Sequence, residues 1–193
     1  ARRNLPLSIR DSGQIADYTD ILTSGSIGEC WDDRHALSRS EDRRNRENTL
    51  KYINSLGLFT GSEHMKGWAA PHLAYFKNGG LGAYHWILDQ FRVPLFSLVY
   101  KDCVYLFREM YPQPDESAIQ DLAAGCHFQL HFNWPSYWQA GYMNTRESAK
   151  ANVAFFQEAN AATALDELLE HRFVEEWNGP FVTRFSGGTE MLA

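Results

Sequence analysis

Short apolar runs that read as β-strands alternate with segments of helical periodicity, and this alternation narrows the possible folds more than any other feature of the chain. Ile15 to Leu22 reads as a strand. Ser38-Arg39-Ser40-Glu41 has the form of a capping box, and the spacing predicts a helix to about Ser55 with Leu50, Ile53 and Leu56 on one stripe. Leu58 to Glu63 reads as the next strand, and Pro71 to Tyr75 as a loop or short helix. Gly79-Gly80 with Gly82 breaks the chain before a helical Tyr84 to Phe91. Pro94 opens an apolar run, Leu95 to Tyr100, that reads as a strong strand. Asp115 starts a helix to about Ala124, and His127 to Phe132 alternates polar and apolar residues up to Pro135, as a strand can. Asn144 caps a helix to about Glu158, and Thr163 to His171 reads as a second one.

Strands separated by helices imply βα units and a parallel sheet. The expected class is α/β: part of a (β/α)8 TIM-like barrel, with about four of the eight units that a closed barrel needs. The end of the chain differs. Phe181 to Phe185 alternates, Ser186-Gly187-Gly188-Thr189 turns, and Glu190-Met191-Leu192 begins a return strand. The expected division is therefore 1–175 for the C-terminal part of a barrel and 176–193 for the start of a truncated β-rich region. The missing units would be absent or supplied elsewhere.

Composition removes several functions. The net charge of −6 lacks the basic surface that nucleic acid requires. The cluster Arg43-Arg44-Asn45-Arg46 is flanked by Glu41, Asp42 and Glu47 and reads as a solvated helix face. No run approaches transmembrane length and no signal peptide is evident, so neither a membrane nor a compartment is indicated. Three cysteines, Cys30, Cys103 and Cys126, form no CxxC pair and read as buried thiols. Aromatic residues make up 14% of the chain. Their flat faces suit a core first and sugar C–H faces second.

The chemistry-bearing stretch is Thr60-Gly61-Ser62-Glu63-His64-Met65-Lys66-Gly67-Trp68, with an acid, bases and an indole just after a buried strand. Asp20 occupies a similar place in the preceding strand. Glycosidic cleavage needs two carboxyl groups, one to protonate the leaving oxygen and one to attack the anomeric carbon or to activate water. Parallel barrels offer such groups at the C-terminal ends of strands. Asp20 and Glu63, one βα unit apart, are the candidate catalytic pair, and partial burial against Trp68 would raise the pKa of the acid. Asp102, after Tyr100-Lys101, stands at the expected end of the Leu95 strand, where it could bond sugar hydroxyls, orient a catalytic group or simply pair with Lys101. Asp32, Asp33, His35 and Arg39 cluster in the loop after the Asp20 strand, where polar ligand contacts are expected. His127 and His131 have i, i+4 spacing, which favours a metal only on a helix, and no Glu completes a zinc motif. Ser24-Gly25-Ser26-Ile27-Gly28 is neither a nucleophile elbow nor a phosphate loop.

At these residues the chain resembles glycoside hydrolase family 129, the α-N-acetylgalactosaminidases, and the related family 101 of endo-α-N-acetylgalactosaminidases, with their bacterial relatives. The similar stretches are Tyr18-Thr19-Asp20-Ile21, Glu29-Cys30-Trp31-Asp32-Asp33-Arg34-His35 with Ser38-Arg39 and Glu41-Asp42, Gly61-Ser62-Glu63 with Lys66-Gly67-Trp68-Ala69, and Val93-Pro94-Leu95 through Val99-Tyr100-Lys101-Asp102-Cys103. His171-Arg172-Phe173 and Thr183 to Thr189 follow. Lys101 stands where the pattern has His, and Ala36 where it has Pro. The resemblance implies a retaining mechanism on a distorted (β/α)8 barrel. It makes Asp20 the nucleophile and Glu63 the acid/base, with Trp68, Tyr100, Asp102, Asp32, His35 and Arg39 lining the sugar site. The expectation is a retaining glycoside hydrolase, or part of one, for α-linked galactose-type or N-acetylhexosamine-type sugars, with a carbohydrate substrate and neither metal nor organic cofactor. The alternative is a non-catalytic barrel fragment with little or no sugar binding.

Overall fold

The computed structural model describes residues 4–77, 93–110, 116–130, 146–163, 166–175 and 179–193. The chain divides into two compact units, Ala1–Lys77 and Asn78–Ala193.

The first unit opens with helix α1 (Leu5–Ser12), which ends on Gly13 at φ 66°, a left-handed cap whose N–H donates to the Ile9 carbonyl. Strand β1 (Ala16–Thr19), helix α2 (Arg39–Ser55), strand β2 (Phe59–Glu63), a 3-10 turn (Ala70–His72) and strand β3 (Tyr75–Lys77) follow. The capping box is present: the Ser38 hydroxyl accepts from the Glu41 N–H, and the Glu41 carboxylate accepts from the Ser38 N–H. Leu50 and Ile53 are fully buried on the inner stripe of α2, as the spacing predicts. Strands β1, β2 and β3 are parallel neighbours in that order. Thr60 and Ser62 on β2 face the helix side, where the Thr60 hydroxyl donates to Asn54 Oδ1 of α2 at 2.6 Å.

The second unit contains α3 (Leu95–Tyr100), β4 (Tyr105–Met110), α4 (Glu116–Ala123), β5 (His127–Leu130), α5 (Arg146–Thr163), β6 (Leu168–Phe173), β7 (Phe181–Phe185) and β8 (Glu190–Leu192). Strands β4 and β5 are parallel, whereas β6, β7 and β8 form an antiparallel sheet. Leu122 of α4 and Phe156 of α5 pack together with Ala159 and Met191 against them. The hairpin expected over 181–192 is present.

Two expected elements are different. Leu95 to Tyr100 is a helix, with the Leu98 N–H donating to the Pro94 carbonyl at 2.9 Å, rather than a strand. Pro94 provides a carbonyl at the helix start without needing an N–H partner there. The segment expected as a helix from Thr163 to His171 is instead the end of α5 followed by β6, which pairs with β7 from Leu168↔Phe185 to Phe173↔Phe181. Pairing with a formed hairpin outweighs helix propensity there. Tyr84–Phe91, Asp115, His131, Phe132 and Asn144 lie outside the described residues. Among the described residues no helix is long and apolar enough to cross a membrane.

Candidate active site

The register of the first unit builds a surface at the C-terminal ends of its strands. Tyr18, Gly61 and Tyr75 form one row across β1, β2 and β3. Side chains alternate along a strand, so the next row on that face contains Glu63, paired with Lys77. Asp20 follows the last β1–β2 pair, Thr19↔Ser62, and so stands at this second row. The two acids read from the sequence therefore terminate adjacent parallel strands. Glu63 is partly buried, with 21% of its side chain exposed, and Asp20 is exposed.

Gly61 has a steric function in the first row. A Cβ there would stand 1.9 to 2.4 Å from atoms of the Tyr75 ring. Tyr75 thus lies across β2, and its hydroxyl donates to the Asp17 carbonyl of β1 at 3.2 Å. Its ring is nearly parallel to that of Tyr18, with centroids 6.4 Å apart. Burial, and then the Asp17 charge, push the Tyr75 phenol above its usual pKa. Lys77 places its ammonium 5.7 Å from the Tyr18 ring centroid.

Both strands leave the sheet through unusual backbone. Ile21, immediately after Asp20, has φ 64°, and the Leu22 N–H donates to the Asp20 carbonyl at 2.8 Å. That is a γ-turn with a positive central φ, a strained conformation for a β-branched residue. His64, immediately after Glu63, has φ 57°, and its Nε2 is 3.8 Å from Glu63 Oε1. Thr23 ties the two ends together. Its N–H donates to the Ser62 hydroxyl at 3.3 Å, and its own hydroxyl donates to the Glu63 carbonyl. Strain concentrated beside two acids is typical of functional sites.

Arg46 of α2 organises the following loop by donating to the Leu22, Gly25 and Ser26 carbonyls and pairing with Asp42 at 2.9 Å. The basic cluster is thus not wholly a solvated face: Arg46 is 18% exposed and holds the loop. The Gly28 N–H, with help from Arg46, holds the Asp42 carboxyl below its usual range. Farther on, Arg34 grips Asp32 at 3.0 and 2.8 Å and lowers its pKa. His35 approaches Asp32 at 3.6 Å, and Arg39 reaches Glu29 at 3.2 Å. Asp32, His35 and Arg39 therefore have polar partners within their own segment. Trp68 is half-buried in the turn after β2.

Tyr100 and Asp102 belong to the second unit. Tyr100 ends α3 with its ring 4.5 Å from Phe96, and Asp102 is exposed in the turn that precedes β4. Asp102 does not follow a strand, because the run before it is helical. The cysteines also differ from the sequence reading: Cys126 is buried, Cys30 half-buried and Cys103 exposed.

Sequence reasoning missed Tyr18, Gly61, Tyr75 and Lys77, which only strand register brings together. It also missed a buried polar cluster in the second unit. Lys101 is 2% exposed and donates to the Thr163 carbonyl at 2.9 Å, and burial lowers its pKa to about 8. His127 Nε2 lies 3.4 Å from the Thr163 hydroxyl, and burial, then the Lys101 charge, lower its pKa to about 4. Asp121, also buried, pairs with Arg108.

No protein-family model matches the chain, and no curated protein does. Solved structures do. The chain is similar to ligand-free alpha-N-acetylgalactosaminidase NagBb from Bifidobacterium bifidum, with a TM-score of 0.73 and 23% identity over 100% of this chain and 32% of that one. A quadruple mutant of that enzyme gives a TM-score of 0.75 and 24% identity over 100% and 31%. Its GalNAc complex gives 0.70 and 23% over 100% and 33%. The chain spans about one third of the length of these neighbours. At this identity the likeness establishes the fold: a mixed α/β architecture matching part of a TIM-like barrel, with a separate antiparallel sheet.

Proposed function

We infer that the chain carries the catalytic carboxylates of a retaining glycoside hydrolase for α-linked galactose-type or N-acetylhexosamine-type sugars. The observation that carries the reading is the position of Asp20 and Glu63 at the ends of adjacent parallel strands, each followed by a left-handed non-glycine residue. Neighbouring strands lie about 4.8 Å apart. This spacing suits the separation of about 5–5.5 Å that a nucleophile and an acid/base need in a retaining enzyme.

In this reading the Asp20 carboxylate attacks the anomeric carbon while Glu63 protonates the departing oxygen. Glu63 then takes a proton from water, and that water releases the sugar from Asp20. Trp68 offers a flat face to the sugar. The fold likeness to a protein named as an alpha-N-acetylgalactosaminidase, solved with GalNAc, supports this sugar class.

The alternative is a barrel segment that binds sugar weakly or not at all unless further βα units are supplied. It rests on the one-third coverage of the neighbours. Turnover of aryl α-N-acetylgalactosaminide and aryl α-galactoside tests both readings. Release of the aryl group by the wild-type chain, and its loss in Asp20→Ala and Glu63→Ala, is expected. Equal rates in wild type and both variants would reject the residue assignment, and no turnover by the wild type would favour the inert segment.

A further inference from the structure

Between β1 and α2 the chain places a nucleophile, a base and an acid in line. Cys30 Sγ lies 3.2 Å from His35 Nδ1, and His35 Nε2 lies 3.6 Å from Asp32 Oδ2. The backbone imposes this order. Cys30 and Leu37 exchange N–H···O bonds of 2.8 and 2.9 Å, and the His35 N–H donates to the Asp32 carbonyl at 2.9 Å. The turn thereby folds the imidazole back over the thiol. Arg34 contacts the Asp32 carboxylate with its backbone N–H and with its guanidinium, which keeps the acid ionised and oriented. Sulfur and carboxylate address opposite ring nitrogens, so no single metal ion can take all three as ligands. The geometry suits a relay instead: in the tautomer with its proton on Nε2, His35 can accept from the thiol at Nδ1 while Nε2–H faces the carboxylate.

The other two cysteines lack this arrangement. The Cys103 thiol donates to the Tyr100 carbonyl at 3.4 Å, and burial, then the adjacent Asp102 charge, raise its pKa. Cys126 is fully buried. Cys30 is half-buried rather than enclosed, and the His35 side chain beside it is 64% exposed.

We propose that Cys30 is a thiol–disulfide exchange site for low-molecular-weight disulfides, with His35 as its base and Asp32 as the group that positions His35. The thiol proton moves to His35 Nδ1 as the sulfur attacks one atom of the incoming disulfide. A protein–ligand S–S bond forms, the original S–S bond breaks, and the departing thiolate takes the proton from His35. The disulfide is the only oxidant, and the product is a mixed disulfide on the loop that joins Asp20 to α2. The site does not depend on the glycosidase reading.

The test uses the full chain and dipyridyl disulfide, with modified cysteines assigned by peptide mass. At neutral pH Cys30 should react about tenfold or more faster than Cys103, the internal exposed reference. His35→Gln should bring the Cys30 rate close to that of Cys103 and move its pH–rate profile upward. Asp32→Asn should produce a smaller change in the same direction. A Cys30 rate no greater than that of Cys103 would overturn the proposal. So would a fast Cys30 whose rate and pH profile are unchanged in His35→Gln.

Discussion

His127 offers a quantitative test of how the second unit is built. It opens β5, is 1% exposed, and packs its ring 4.4 Å from that of Tyr105. Lys101 is the charge that acts on it, Tyr105 and Cys126 are titratable neighbours, and among the described residues its Nδ1 has no hydrogen-bond partner. Burial, reinforced by the Lys101 charge, lowers the pKa from 6.5 to about 4. At about 1.4 kcal/mol per pH unit, the difference is worth about 3 kcal/mol. The sign follows from proton uptake. Between these two values the unfolded chain holds a proton on this imidazole and the folded chain does not, so stability rises with pH across the window. The stability is fully present above 6.5 and is lost as pH falls through about 4. Denaturant unfolding from pH 7.5 down to 4, in wild type and His127→Gln, isolates the contribution from carboxylates that titrate in both. The wild type should lose about 3 kcal/mol more than the variant over that range. Parallel curves would show that the imidazole is solvated when folded and would refute the buried cluster.

Other perturbations have equally direct outcomes. Gly61→Ala drives a methyl into the Tyr75 ring and should cost about 1–3 kcal/mol by thermal or denaturant unfolding, whereas the same substitution in a Tyr75→Ala background should cost far less. Ser38→Ala removes the α2 cap and should cost about 1 kcal/mol in the same assay. Lys101 has its pKa lowered from 10.5 to about 8, so the folded chain releases that proton first and stability should rise by about 3 kcal/mol between those pH values. Lys101→Met should abolish the rise, as read by unfolding at pH 7.5 and 10.

The elements that were legible in the sequence have local causes. Ser38 and Glu41 announce α2 through a cap that needs only four residues, and Leu50 with Ile53 mark its buried stripe. Strand β2 begins within the apolar pair Leu58-Phe59, and β7 of the final hairpin alternates buried and less buried residues before its Gly-Gly turn. The misread elements have non-local causes. Leu95 to Tyr100 is a short apolar run, which periodicity does not assign to helix or strand, and as a helix it exposes Leu95 and Val99 while burying Ser97. Strand β4, for which the sequence raised no expectation, contains Arg108, a poor strand signal until Asp121 of α4 is seen to pair with it. Strand β6 is specified by β7 rather than by its own residues.

The candidate site divides along the same line. Asp20 and Glu63 were visible as acids that end apolar runs. Lys77 was not, because β3 is three residues long and its pairing with Glu63 is a matter of register. The glycine at 61 gave no sign of its purpose, since the Tyr75 ring it admits comes from the next strand.

The measurement that tests the paired carboxylates most directly is covalent trapping. The chain is treated with a 5-fluoro-α-galactosyl fluoride, which forms a glycosyl-enzyme that turns over slowly, and the labelled peptide is sequenced by mass spectrometry. The label should sit on Asp20, and Glu63→Ala should retard its hydrolytic release. A glycosyl ester on any other side chain, or release from Asp20 at an unchanged rate without the Glu63 carboxyl, would contradict a shared centre.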